Sequence, residues 1–546
     1  MNQYPVQYYF RHLKDDLPAG IVVFLVALPL CLGVALASGA PLFAGLIAGM
    51  VGGLAVAWLS GSQLSVSGPA AGLTVIVFNA IESLGSFQGF LVAVVLAGIM
   101  QLIAGFLKAG VIGAFFPSAV IKGMLAAIGL ILIIKQIPHA TGYSEHFGGP
   151  EAYREEDVQG FFLPIFDAFS SISHGVVLIC TVALLILIVW ERPWFKHQKF
   201  LKLIPGPLIA VIWGVLYNLS AEQWAPDWAV SAIHLVNVPV SNNVGEFLNN
   251  FLFPDFSYWT NPQVYLIAAT LAIIGSLETL LSLEAVDKLD PLKRTAPTNR
   301  ELKAQGVGNI ISGLIGGLPI TAVIVRSSGN INAGGKTPLS SFVHGICILL
   351  SVMFFANYIN YVPLGCLAAI LLHTGFKLAK PALFMDFYRK GWSQLLPFII
   401  TISAILATDL LKGMAIGLIV GLFFVIKANY RAAITMTQNG SSYRLTLNKD
   451  VAFLNKALLR KLLLHVKPNS TLIIDASRSQ FIDHDIVETI DDFLVTAPSH
   501  NISVELCDIY GKERLKKHEE FVILQDYYDK NPSGNNMIID NKIIEL

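Results

Sequence analysis

Charge is what this chain lacks. Asp, Glu, Lys and Arg make up 14% of its 546 residues, against about 25% in an ordinary soluble domain. The shortage is uneven: residues 427–546 hold 31 of the 74 charged side chains, and the first 426 hold the other 43. That split excludes one large soluble enzyme, a disordered chain and a basic nucleic-acid binder. Closely spaced cysteines are also missing. Cys31, Cys180, Cys347 and Cys366 fall in apolar runs without the spacing of a metal or redox motif, and small buried hydrophobes need no other role. No phosphate-cradling glycine loop is present, so ATP is not the expected energy source. No nucleophile motif or metal-ligand cluster points to an enzyme. Arg11, Lys14, Asp15 and Asp16 precede an apolar run with no cleavage site, so no signal peptide is expected.

Long apolar runs are abundant. A spanning helix needs about 20 apolar residues, and such runs occupy about 17–37, 42–59, 89–107, 117–134, 172–190, 205–219, 262–284, 338–356, 393–410 and 411–427. Shorter or Gly/Pro-broken runs lie near 67–83, 301–317, 320–334 and 361–376, giving fourteen expected crossings. Loop charge supports an even count. The loop at 191–204 carries Arg192, Lys196, Lys199 and Lys202, and the loop at 285–304 carries Lys288, Lys293, Arg294, Arg300 and Lys303. The loop at 137–171 has Arg154 alone against six acids, and 219–261 has no Lys or Arg. The asymmetry predicts a cytoplasmic N-terminus, with the chain returning to the cytoplasm at Lys427 and Arg431. Residues 1–16 form a cytoplasmic lead-in, and 17–428 form the expected membrane domain in the lipid bilayer.

The chain also repeats itself. An offset of about 250 lays Pro69, in Ser67-Gly68-Pro69-Ala70-Ala71, on Pro319, in Gly316-Gly317-Leu318-Pro319. It also lays Leu28-Pro29 near Glu278, and an offset of 246 lays Phe116-Pro117 on Val362-Pro363. Seven crossings separate the copies, at about 17–219 and 262–428, so the second is inverted. Short, broken segments at matching places in inverted halves point to a midplane binding site. Each is expected to enter as extended chain and turn helical halfway. Two helix N-termini then face each other, offering unpaired N–H groups and partial positive charge to an anion.

Ionisable residues in apolar spans are costly and so informative. Glu278 lies mid-span with Ser282 one turn later on the same face, an acid and a hydroxyl suited to a sodium ion or, with the acid alone, a proton. A structural ion pair with Lys122 or Arg326 is the competing reading. Arg326, seven residues after Pro319, would favour an anion. Lys122 is expected to snorkel, Glu82 lies nearer a span end, and His344 and His373 read as packing or interfacial residues.

Together these residues resemble the SulP family of inorganic anion transporters, related to the SLC26 exchangers, over essentially the whole chain. The resemblance rests on Asp16-Leu17-Pro18-Ala19-Gly20, Ala27-Leu28-Pro29, Ser67-Gly68-Pro69-Ala70-Ala71, Glu278-Thr279-Leu280-Leu281-Ser282, and Arg326-Ser327 followed by Gly334-Gly335-Lys336-Thr337. It implies an all-α membrane domain of fourteen segments, built as a seven-plus-seven inverted repeat with core and gate, usually a homodimer. It also implies a substrate site between the third and tenth helices, elevator-like movement, and bicarbonate, sulfate, chloride or dicarboxylates as cargo. Where many relatives have Gln and an aromatic after the first-span proline, this chain has Leu30 and Val34. Where many have a hydroxyl before the tenth-helix Arg, it has Ile324 and Val325. The anion is therefore expected on backbone N–H groups near Ala70, Ala71, Ile324 and Val325, beside Leu30 and helped by Arg326.

Residues 441–525 alternate strand and helix patterns, with strands at 442–447, 471–474 and 502–506 and helices at 451–465 and 485–495. The order resembles a small cytoplasmic α/β STAS domain. Ser477, in Asp475-Ala476-Ser477, reads as a helix-capping hydroxyl or a regulatory phosphorylation site. Residues 526–546 read as a loose terminus. The expected function is secondary active transport of bicarbonate or sulfate coupled to sodium or protons, in a bacterial inner (plasma) membrane. A passive chloride channel, an anion exchanger and a nucleobase symporter are the alternatives.

Overall fold

The computed structural model describes residues 8, 11–111, 117–143, 173–192, 204–241, 243–408, 410–479, 481–509, 536–539 and 542–545. Phe116, Arg154, Lys196, Lys199, Lys202 and most of the loop at 137–171 lie outside them, as do residues 526–535. The chain divides into two compact units, Met1–Gly421 and Leu422–Leu546.

Helical segments occupy all fourteen expected positions in the first unit and its last helix. They are α1 (Leu13–Ala37), α2 (Leu42–Leu59), α3 (Ala71–Leu84), α4 (Phe87–Phe106), α5 (Ser118–Thr141), α6 (His174–Trp190) and α7 (Gly206–Trp224). The second set is α8 (Pro262–Leu289), α9 (Thr298–Leu314), α10 (Ile324–Asn332), α11 (Leu339–Ile359), α12 (Leu364–Leu378), α13 (Trp392–Ala407) and α14 (Leu410–Ala433). Eight helices among the described residues are long and apolar enough to cross a membrane. Starts follow the sequence grammar: Pro117, Pro205, Pro297, Pro338 and Pro363 immediately precede helices, where a missing N–H costs nothing.

Helix partners swap between the two sets. Gly53 of α2 meets Gly345 of α11, and Gly306 of α9 meets Gly98 of α4, so closely that a Cβ at Gly306 would lie 2.7 Å from the Gly98 carbonyl oxygen. Gly129 of α5 meets Gly375 of α12 in the same reciprocal way. Glycine at these crossings lets backbones approach and pack without a hydrophobic driving force. The pairing α2–α11 in one direction and α9–α4 in the other, with α5–α12 between, is the contact pattern of two copies that exchange roles.

Two short strands, β1 (Ser67–Pro69) and β2 (Ile320–Ala322), pair antiparallel with Ser67 opposite Ala322 and Pro69 opposite Ile320. This corrects the Pro69-on-Pro319 alignment. The equivalent residues are Ser67 and Ile320, an offset of 253, and Pro319 merely leads into β2. Two prolines in a short extended stretch invite that misregister, because either fits the non-donating edge of a ladder.

The second unit is a four-stranded sheet ordered β3 (Ile434–Asn439), β4 (Ser442–Leu447), β5 (Thr471–Asp475), β6 (Ser503–Cys507), with α15 (Lys456–Leu463) and α16 (His484–Thr496). β3–β4 is antiparallel; β4–β5 and β5–β6 are parallel. Leu445, Leu472, Ile474, Leu459, Ile486 and Ile490 form its core. The sheet begins at Ile434 rather than 441, because Ile434 and Met436 alternate inward from an otherwise polar run that reads as linker. Ser477 caps no helix: it sits in a turn where its amide donates to Asp475 Oδ1 (3.0 Å), and Asp483 caps α16. In the stretch read as loose, β7 (Asn536–Ile539) and β8 (Lys542–Glu545) pair antiparallel.

Candidate functional site

The site is built around the β1–β2 ladder. α3 starts immediately after β1 and α10 immediately after β2, so the two helices leave the ladder in opposite directions. Neither start is capped by the side chain of its own N-cap residue, so first-turn N–H groups there turn to other partners or to a ligand. Thr74 begins the regular part of α3 and donates back to the Ala71 carbonyl (2.8 Å).

Amide side chains hold the ladder in place. Asn309 of α9 brackets Ile320, donating Nδ2 to its carbonyl (3.1 Å) and accepting from its amide (2.6 Å); Nδ2 also donates to Gln101 Oε1 (2.7 Å). Gln305, one turn earlier, donates to Ser67 Oγ (2.7 Å) and to Glu301 Oε1 (2.8 Å), and Ser60 donates to Glu301. Thr279 accepts from the Ala322 amide (3.3 Å), Ser327 from the Val66 amide (2.9 Å), and Asn330 donates to the Leu64 carbonyl (3.1 Å). Of these, Ser60, Gln101, Glu301, Gln305, Asn309 and Asn330 were not singled out from sequence. The signal was there: Glu301, Gln305, Asn309 and Ser312 repeat at three to four residues along α9, a polar stripe facing inward. A membrane interior without water makes such satisfaction obligatory for broken backbone.

Glu278 comes to the start of α3. The Gly72 amide donates to its carboxylate, and a Cβ at Gly72 would lie 2.5 Å from Oε1, so glycine there is what admits the acid. Oε2 is buried and has no hydrogen-bond partner. Among the described residues neither Lys122 nor Arg326 pairs with Glu278: Lys122 Nζ lies over the Phe387 ring, 5.6 Å from its centroid, and Arg326 is engaged elsewhere. Ser282 is buried one turn beyond Glu278 on α8.

Arg326 is 1% exposed. Its Nη2 donates to the Pro69 carbonyl (3.3 Å), Gly68 leaves room for Nη1, and Cys31 and His344 are its neighbours. Among the described residues Nε and Nη1 have no hydrogen-bond partner, nor does either ring nitrogen of His344. His344 is thus buried beside a cation, not interfacial. Val325, one residue earlier, faces the other way and lines a cavity of about 410 Å³ with Leu30, Trp190, His373 and Lys377. The structure thus brings Leu30 and Val325 together at this cavity and puts Arg326 behind the ladder. Ala70 is buried, Ala71 half-buried and Ile324 exposed, each at a helix start. Ser477 lies in the other unit. Its hydroxyl and amide, aided by Arg444 with Nη2 3.6 Å from Oδ2, hold the Asp475 carboxyl below its usual range.

Residues 13–401 match the Sulfate permease family, and the chain belongs to that family, whose members transport anions across membranes and are not enzymes. YvdB of Bacillus subtilis (strain 168), assigned by its name to sulfate transport, is 28% identical over 423 residues, 77% of this chain and 75% of its own length. The bicarbonate transporter BicA of Picosynechococcus sp. (strain ATCC 27264 / PCC 7002 / PR-6) is 29% identical over 380 residues, 67% of this chain and 62% of its own. The structure of SLC26A9 superposes with a TM-score of 0.74 at 16% identity, covering 93% of this chain and 86% of that one. The protein is an integral membrane protein of this fold.

Proposed function

We propose that the protein is a secondary active transporter that drives a small inorganic anion, bicarbonate or sulfate, with a sodium ion or proton. The observation that carries it is Glu278: an acid delivered from α8 to the start of α3, where it accepts from the Gly72 amide, with Oε2 buried and without a hydrogen-bond partner among the described residues. Backbone N–H groups at Ala70, Ala71, Ile324 and Val325 hold the anion beside Leu30, and Arg326 adds positive charge from behind the ladder. Glu278 and Ser282 hold the cation. A cation there attracts the anion, and by linkage the anion strengthens cation binding equally. Alternation occurs by elevator-like movement of the part carrying α3, α8 and α10.

The same reading makes the protein a homodimer of the bacterial inner membrane, with the N-terminus and the second unit cytoplasmic. That unit is taken as a STAS-like regulatory domain with Ser477 as its candidate phosphorylation site. Uptake of labelled sulfate and of labelled bicarbonate into proteoliposomes, with and without sodium and proton gradients, tests the central claim. Accumulation of one anion above equilibrium under one gradient is expected. Uptake of either anion that only equilibrates, whatever gradient is applied, makes the protein a passive channel or exchanger instead.

A further inference from the structure

A second cavity, of about 490 Å³, runs along α3 from Val75 to Ser83 and is closed by Lys135 of α5, Thr270 of α8 and Lys412 of α14. The 410 Å³ cavity is lined by α1, α6, α7, α10 and α12; this one is lined by α8, α13, α14, α3 and α5. Exchanging the two halves turns the first list into the second. α5 and α12 run antiparallel where they cross, Gly129 facing Leu378 and Ile133 facing Gly375, so Lys135 and Lys377 lie towards opposite ends of the pair.

The two cavities differ in how their cation is treated. Lys377 is ion-paired with Glu191, which His373 Nε2 also approaches at 3.4 Å. Lys135 has no carboxylate within ion-pair distance among the described residues; Glu82 acts on it only at longer range. Its Nζ instead sits 3.4 Å from the centroid of the Phe78 ring, and that ring belongs to α3. A cation–π seat holds an ammonium without cancelling its charge. The remaining lining is largely apolar apart from Lys412, a second cation at the same cavity, and a low-dielectric wall concentrates the field of such charges. Lysine, a compact point charge with no fixed fork, accepts a planar or a tetrahedral oxyanion alike.

We propose that this cavity is a vestibule for the transported anion and that Lys135 is its anion-binding residue, drawing a small oxyanion from the water on one face towards the start of α3. The assignment rests on the anion-transport reading. With the orientation expected from loop charge, the vestibule opens outside.

The test uses full-length protein in proteoliposomes and labelled sulfate and bicarbonate. Lys135→Cys is expected to raise the anion concentration for half-maximal uptake about tenfold or more, with the maximal rate much less affected. A methanethiosulfonate reagent carrying ethylammonium restores the native value; one carrying ethylsulfonate does not. The reagents reach the residue from one membrane face, opposite to the face from which they modify Lys377→Cys, and treated unsubstituted protein controls for native cysteines. Lys135→Met, which keeps the packing on Phe78, gives the same affinity loss, and Lys135→Arg retains most of the affinity. An unchanged half-saturation in Lys135→Met, equal effects of the two reagents, or a cysteine at 135 that no aqueous reagent reaches overturns the vestibule. In those cases anion uptake by the unsubstituted protein stands; its absence would defeat the underlying function as well.

Discussion

The two halves of the membrane unit share one backbone plan and divide the chemistry. α8 meets the start of α3 as α1 meets the start of α10, yet α8 brings Glu278 where α1 brings Leu30 and Cys31. On the other side, the α10 helix carries Arg326, and the α3 helix has no basic residue in its first turn. The repeat therefore supplies geometry twice, while the side chains differ: an acid stands at the start of α3 and an arginine in the first turn of α10.

Glu278→Gln removes that difference and has the largest expected effect. Glutamine keeps the acceptor for the Gly72 amide and nearly the same shape, so the protein folds. Gradient-driven accumulation, read as labelled anion uptake under an imposed cation gradient, is expected to vanish. Normal concentrative uptake with unchanged cation dependence would make Glu278 structural and remove the contrast between the halves.

Arg326→Ala acts on the other member of the contrast. If its charge serves the anion through the ladder, half-saturation for the anion rises by the equivalent of about 1–3 kcal/mol. Because the guanidinium also donates to the Pro69 carbonyl inside the protein, thermal unfolding in detergent is measured alongside. Loss of stability with unchanged anion affinity in the folded fraction assigns Arg326 to the ladder alone.

The smallest effect sharpens the contrast between the membrane unit and the second unit. The Asp475 carboxyl is held below its usual range by Ser477 and Arg444. Its contribution to stability is therefore present above the unfolded value, near 3.9, and is lost as pH falls through the lower folded value. Asp475→Asn is expected to cost about 1 kcal/mol or less at pH 7 and to flatten the acid limb of unfolding of the second unit, followed by chemical denaturation between pH 3 and 7. An acid limb identical to that of the native protein would remove Asp475 from the account.

Composition and apolar run length were enough to locate the fourteen segments α1 to α14, because a bilayer demands apolar stretches, but not the short helices Val244–Asn249 and Pro381–Arg389 between them. The breaks at Ser67–Pro69 and Ile320–Ala322 were legible for the same reason: polar backbone in a short apolar run needs an explanation. Glu278 was legible as an isolated acid. What the sequence did not determine was register and partner. Pro69 and Pro319 offered a plausible alignment that β1–β2 pairing shifted by three residues, since hydrogen bonds between distant strands leave no local signature. Asn309, Gln305 and Gln101 read as ordinary polar residues until the fold placed them on the ladder. Arg326 read as a ligand residue, and only packing against Cys31, His344 and Pro69 turned it inward. Lys135 drew no notice in sequence, because its meaning comes from Phe78 on another helix and from a cavity that neither helix forms alone. Spans follow from one-dimensional polarity; which charges meet is a property of three-dimensional contact.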